Sequence, residues 1–189
     1  MTLHALVHEL GEAGIGILQY RNKQGSEHEV LTDAHVMRVA AENSEIKLIL
    51  NDWPHLAVEA GFDGVHVGQE DISPSEARAI VGAARIVGVS THNEAQVQAE
   101  EKEPVDYIAI GPVFATATKL NPDPVVGLEG VRLARNLTRK PLVAIGGITL
   151  ATASDVKAAG ADSIALISAI FSSAGTPAKF AGDFLRIFR

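Results

Sequence analysis

Cysteine is absent from this chain. Its absence excludes disulfides, zinc–thiolate centres and cysteine nucleophiles, and leaves hard-oxygen metal chemistry open. Long apolar runs are missing as well: none approaches the roughly 20 residues that a helix needs to span a bilayer. There is no excess of positive charge either. Sixteen Lys and Arg face 23 Asp and Glu, for a formal net charge of −7. Charge-driven binding of nucleic acid needs a basic face, so no nucleic-acid partner is expected. Anionic small molecules are not excluded, because a local basic cluster can hold phosphate on an acidic protein. A signal-peptide pattern is also lacking. Residues 1–14 set His4, His8, Glu9 and Glu12 among apolar residues, the arrangement of an amphipathic helix. These absences predict a cytoplasmic protein with no membrane partner. Its oligomeric state is left open.

What is present fits one domain. The 189 residues, 47% apolar and 21% charged, have an ordinary globular composition and can bury a sizeable core. Residues 1–189 are therefore read as a single domain. Short apolar runs rich in Ile, Val and Leu recur at 15–20, 47–50, 64–67, 85–89, 107–113, 141–145 and 163–167. Strands buried on both faces of a parallel sheet have this look. Helical spacing fills 74–82, 92–102 and 149–160. The first of these opens with Ser73 as cap and Pro74 at the first helical position; the last runs from Thr149 to Gly160. The alternation predicts parallel βα units and, on this regular repeat, a (β/α)₈ barrel. Only seven strands are visible, and a helix comes first. The expectation is a barrel that lacks its first strand in this chain, or one left open between its first and last strands with two edges to protect.

Catalytic groups in such barrels sit at the C-terminal ends of the strands. The first run ends in Gln19-Tyr20-Arg21-Asn22-Lys23, and strand alternation would send Gln19, Arg21 and Lys23 to one face. Arg offers a planar fork for phosphate and Lys a point charge. The second run ends in Asn51-Asp52 and the third in Gly68-Gln69-Glu70-Asp71. Two carboxylates on neighbouring strand ends can hold Mg²⁺, with water and substrate oxygens completing the shell. Asp at a βα junction is also a common helix cap. Ser90-Thr91-His92 follows the fourth run; its hydroxyl suits a leaving phosphate, while His92 and its neighbours suit a cap or surface role. Thr116-Ala117-Thr118-Lys119, after the fifth run, is a hydroxyl-and-ammonium set suited to oxyanions. Gly146-Gly147-Ile148-Thr149 and Ile167-Ser168-Ala169-Ile170 close the last two runs, where barrels often place a phosphate site. His66, inside an apolar strand, reads as a core histidine. Neither a P-loop nor a GxGxxG fingerprint is present.

Taken together and in order, the first six of these motifs, from Gln19-Lys23 to Gly146-Thr149, resemble the thiamin phosphate synthase family, and the resemblance runs across residues 5–175 or so. The resemblance implies a (β/α)₈ barrel that joins hydroxymethylpyrimidine diphosphate to thiazole phosphate and releases pyrophosphate. It implies that Gln19, Arg21, Lys23, Asn51, Ser90 and Lys119 hold the diphosphate. Tyr20 and Asn22 belong to the same substrate-binding stretch. Asp52 and Asp71 would hold Mg²⁺, and Thr116, Thr118, Gly147, Ile167 and Ser168, with Ala117 in their stretch, would hold the thiazole phosphate. Arg21, Lys23, Ser90 and Lys119 carry the implied catalysis of diphosphate departure. A related branch, a thiazole tautomerase, places a histidine where this chain has Pro112. The third reading is a non-catalytic relative that binds phosphate ligands. Trp53, after Asn51-Asp52, and the proline-containing segment 120–126 depart from the family's pattern.

Overall fold

The computed structural model describes residues 1–116, 123–172 and 175–188. Strands and helices alternate along them: α1 (Leu3–Glu12), β1 (Ile17–Tyr20), α2 (Glu27–Ala40), β2 (Lys47–Asn51), α3 (Pro54–Glu59), β3 (Gly64–Val67), α4 (Pro74–Val81), β4 (Ile86–Thr91), α5 (Glu94–Glu100), β5 (Tyr107–Ile110), α6 (Gly127–Leu137), β6 (Leu142–Ile145), α7 (Leu150–Ala158), β7 (Ser163–Ala165), α8 (Ser168–Ser172) and α9 (Pro177–Phe188). Each predicted apolar run contains one strand. The fifth run is shorter than expected, because the ladder breaks at Gly111-Pro112, where proline has no N–H to give.

The strands pair in parallel and in chain order, β1-β2-β3-β4-β5-β6-β7. Every crossover passes through a helix, which is the habit of a (β/α) barrel. Among the described residues β7 makes no ladder with β1, so the barrel is open at that seam. The helical layer bridges the gap. α9 packs against both α1 and α7, and its first turn is tied to α1 where the Ala178 N–H donates to Glu9 Oε1 at 3.2 Å.

Alternate strand residues face the helices. Leu48 and Leu50 join Val7, Leu10, Val30, Met37 and Phe62 in a core under α1–α3. Val65, Val67, Val87, Val89, Ile108, Ile110 and Leu142 form a second core under α4–α7. α9 contributes to both, through Ala181 and Phe184. The intervening residues point into the barrel, as a period of two requires.

Two local devices set the frame. Ser73 and Glu76 form a capping box at α4 with Pro74 in the first turn, as the sequence predicts. At the N-terminal face an aspartate precedes every second strand and accepts from the backbone of the strand before it. Leu48 N–H meets Asp63 at 2.9 Å, Val87 N–H meets Asp106 at 2.7 Å, and Leu142 N–H meets Asp162 at 2.8 Å. An arginine backs each one: Arg38, Arg78 and Arg135.

Candidate active site

The C-terminal ends of all seven strands border one cavity of about 600 Å³. Its walls carry Gln19 from β1, Asn51 from β2, His66 from β3, Ser90 from β4, Gly111 after β5, Ile145 from β6 and Ala165 from β7. The open sheet therefore curls far enough to enclose a common site. Arg21, Lys23, Asp52, Asp71, Thr116, Gly147, Ile167 and Ser168 line the same space.

Alternation sorts the first motif. Gln19, Arg21 and Lys23 face the cavity, and Gln19 Nε2 donates to Asn51 Oδ1 at 3.3 Å. Tyr20 and Asn22 do not line it. Tyr20 packs with the helices and donates to Asp33 on α2; Asn22 accepts from Gly25 N–H at 2.8 Å and shapes the turn. Burial and the Asp33 contact push the Tyr20 phenol up to about 12. These two residues support the motif from behind, which corrects their place in the substrate-binding set. Arg21 has no hydrogen bond or ion pair among the described residues and stays available for an anion.

Asp52 and Asp71 do not cap helices. Trp53 precedes α3 without a side-chain cap, and Ser73 caps α4. Both carboxylates instead meet Lys23, whose Nζ lies 2.5 Å from Asp52 Oδ2 and 3.5 Å from Asp71 Oδ1. Asp52 is held at φ 69°, the left-handed region that few residues other than glycine adopt. Burial raises its pKa, and the neighbouring Asp71 raises it further. Burial also works against the Asp71 charge, but the Asp52 contact, the Gly68 N–H at 2.8 Å and Lys23 outweigh it, so Asp71 lies below the usual carboxylate range. Lys23 is likewise opposed by burial and held above its usual range by the two aspartates. Asp52 Oδ1 is buried without a hydrogen-bond partner. A buried carboxylate oxygen with nothing to accept from is costly, and a cation would satisfy it. No group of three or more His, Asp or Glu forms a metal cage among the described residues. Two carboxylates suit an ion such as Mg²⁺, which keeps waters and takes substrate phosphate oxygens. The donor set thus fits the implied metal.

Ser90 and Thr91 are the last residues of β4, and the cap of α5 is Asn93. The capping alternative for Ser90 and His92 is therefore corrected. Ser90 Oγ lies 2.7 Å from His66 Nε2, and His66 Nδ1 lies 2.8 Å from the Tyr107 hydroxyl. His66 is buried, as a core histidine would be, yet its ring borders the cavity. Burial lowers its pKa to about 4, so the imidazole is neutral at physiological pH. His92 also lines the cavity, with Nδ1 2.6 Å from Gly111 O and Nε2 3.4 Å from Asp123 Oδ2. Sequence alone missed both histidines as wall residues, because their partners lie 19 to 41 positions away in the chain.

Across the barrel from the aspartates, Gly146 and Gly147 take φ 99° and 64°. A Cβ on Gly147 would lie 2.5 Å from Ala115 O, so only glycine fits there. The loop leads into α7, and its backbone faces the cavity beside Thr116, Ile167 and Ser168. Such a loop at a helix start favours an anion. Ala117, Thr118 and Lys119 lie outside the described residues.

Comparison with known proteins gives the chain its relatives. A family model described as thiamine monophosphate synthase matches residues 1–170. A thiamine-phosphate synthase of Koribacter versatilis (strain Ellin345) is 52% identical over 186 residues, covering 98% of this chain and 86% of its own length. One from Agrobacterium fabrum is 42% identical over 166 residues, covering 85% of this chain and 76% of its own. Among solved structures, the thiamine phosphate pyrophosphorylase of Pyrococcus furiosus superposes with a TM-score of 0.87 at 29% identity, covering 98% of this chain and 88% of that one. A 3-hexulose-6-phosphate synthase, at TM-score 0.75 and 18% identity over 99% of this chain and 93% of that one, shares the fold alone. With its motifs gathered on one rim and its relatives matched over most of their length, the chain belongs to the thiamine monophosphate synthase family.

Proposed function

We propose that the chain is a transferase that joins hydroxymethylpyrimidine diphosphate to thiazole phosphate, giving thiamin phosphate and pyrophosphate. The observation that carries this reading is one cavity with two unlike ends. Asp52, Asp71, Lys23 and Arg21 stand at the β1–β3 side, and the Gly146-Gly147 loop with Ser168 stands at the β6–β7 side. Two phosphorylated substrates need two such ends, brought close enough to react.

Gln19, Arg21, Lys23 and Asn51 bind the pyrimidine diphosphate, and the family motif assigns Lys119 to the same group. Asp52 and Asp71 would hold magnesium, which would supply positive charge against the departing diphosphate. Lys23 keeps an ammonium beside the same oxygens, and Ser90 donates a hydrogen bond to them. Departure leaves a resonance-stabilised pyrimidine methyl cation. Thr116, Gly147, Ile167 and Ser168, with Thr118 by motif, fix the thiazole phosphate so that its ring nitrogen captures that cation. Positioning and charge stabilisation account for the rate, and little acid–base machinery is needed. Pro112 lines the cavity where the tautomerase branch carries its histidine, so that reading lacks its acid–base group at that place. The proposal puts the reaction in the cytoplasm. No helix among the described residues is long and apolar enough to cross a membrane.

The test is direct. The purified chain is mixed with both substrates and Mg²⁺, and thiamin phosphate is read as its fluorescent oxidised form. Product that disappears with EDTA supports the synthase. Tight binding of both phosphates by a folded chain, with no product over hours, would instead support the non-catalytic relative.

A further inference from the structure

Ser90 is useful to an anionic diphosphate only if its proton points at the diphosphate, and a serine hydroxyl rotates freely unless its surroundings fix it. The surroundings here are specific. Strand register puts His66 on β3, Gly88 on β4 and Tyr107 on β5 at one level of the barrel. A Cβ on Gly88 would lie 2.0 Å from Tyr107 Cζ. The missing side chain therefore lets the Tyr107 ring lie across β4 and stack on His66, with centroids 5.5 Å apart and planes at 26°. The Tyr107 hydroxyl then meets His66 Nδ1 at 2.8 Å, and His66 Nε2 meets Ser90 Oγ at 2.7 Å. From the other side, Gln69 Nε2 donates to the Ser90 carbonyl at 2.9 Å and to Glu100 Oε1 at 3.1 Å, bracing the backbone.

We infer that Tyr107 and His66 are positioning residues that fix the imidazole proton on Nε2 and so turn the Ser90 hydroxyl proton into the cavity. The Tyr107 phenol has a single hydrogen-bond partner among the described residues, His66 Nδ1. Leaving a buried O–H without an acceptor costs its full desolvation penalty, so the phenol donates to Nδ1. A neutral imidazole that accepts at Nδ1 carries its proton on Nε2. That proton goes to Ser90 Oγ, which accepts it and keeps its own for the cavity. The opposite tautomer would turn Ser90 back toward the ring and present a lone pair to an anion. This inference rests on the reading that a diphosphate meets Ser90; neither His66 nor Tyr107 is expected to touch the reacting atoms.

Two measurements test it, and the first needs no turnover. In ¹⁵N-histidine-labelled protein at neutral pH, with His66 assigned by its loss in His66→Gln, the ring nitrogens report the tautomer. An Nε2–H ring is expected; an Nδ1–H ring, or a mixture of the two, overturns the inference while leaving the proposed reaction untouched. The second is kinetic. Tyr107→Phe is expected to lower kcat about 3- to 10-fold, the worth of one orienting hydrogen bond, with KM for both substrates within about twofold. His66→Ala is expected to lower kcat further, and His66→Gln, whose amide N–H replaces Nε2–H, to recover most of that loss. A Tyr107→Phe enzyme with unchanged kcat, or a loss confined to KM, overturns it.

Discussion

Asp52 shows most plainly how the site is built. It is ionisable, sits at φ 69°, has one oxygen against Lys23 and leaves the other buried without a partner. Strain and an orphaned acceptor at one residue are tolerated where function uses them. Asp71, held by Gly68 N–H and Lys23, keeps its charge more easily. Asp71→Asn is therefore expected to raise the Mg²⁺ needed for half-maximal turnover by at least about 10- to 100-fold, the range seen even for outer partners of metal sites. The urea midpoint should move little by comparison. Equal activity at limiting Mg²⁺ would remove Asp71 from the metal site. The two tyrosines give a second residue-level test. Burial pushes Tyr20 up to about 12 and carries Tyr107 higher still. A phenol raised in the folded state stabilises it fully below its unfolded pKa near 10, and that stability is lost as pH rises through the folded value. Absorbance near 295 nm should show almost no phenolate in native protein at about pH 10.5 and about three-quarters of the full signal after denaturation. Half-titration of the native protein at that pH would contradict the burial of both. Alternation made Gln19, Arg21 and Lys23 legible in the sequence. His66 was not legible as a wall residue, because Ser90 and Tyr107, which give it work, are 24 and 41 residues away.

At the scale of elements, the strands and the α4 cap were readable because they depend on neighbours in the chain. Ile, Val and Leu in short runs and Ser73-Pro74 before Glu76 carry their own signal. The aspartate clamps at the opposite face were not readable. Asp63, Asp106 and Asp162 each look like a polar residue before an apolar run, and only the fold brings each to the backbone of the preceding strand. Their repetition just before β3, β5 and β7 pins strand register at the bottom while chemistry occupies the top, a division that barrels use widely. Asp106→Ala removes the acceptor of Val87 N–H and the partner of Arg78. It should cost about 1–3 kcal/mol in urea unfolding, and activity per folded molecule should be unaffected. A loss of kcat without loss of stability would show that the two faces are not separable.

The whole molecule must reconcile an open strand ladder with a site that needs every strand. β1 is exposed at Ile17, 49% accessible, and pairs on one side only among the described residues. α9 offsets this by joining the two cores, with Ala181 in one and Phe184 in the other. Phe184→Ala should therefore destabilise the protein by about 3–5 kcal/mol, the cost of emptying a core aromatic site, and a loss below about 1 kcal/mol would show the seam holds without it.

Ligands should close the same seam from above. The cavity takes its walls from β1 through β7, so a molecule gripping Arg21 and Lys23 on one side and the Gly147 loop with Ser168, just after β7, on the other ties the first strand to the last. Anything that binds only the folded state raises its stability by mass action, about 2.7 kcal/mol at a hundredfold excess over Kd. For a domain of this size that is a rise in Tm on the order of 5–10 °C. Pyrophosphate is the anion to use, since the proposed reaction releases it. Its effect should depend on Mg²⁺, because the orphaned Asp52 oxygen repels an anion until a cation lies between them. Pyrophosphate with Mg²⁺ should raise Tm by more than the sum of the two alone, and Asp71→Asn should abolish the excess. An equal shift by pyrophosphate in EDTA would mean that Arg21 and Lys23 hold the anion without the metal, and that the aspartates serve only to place Lys23.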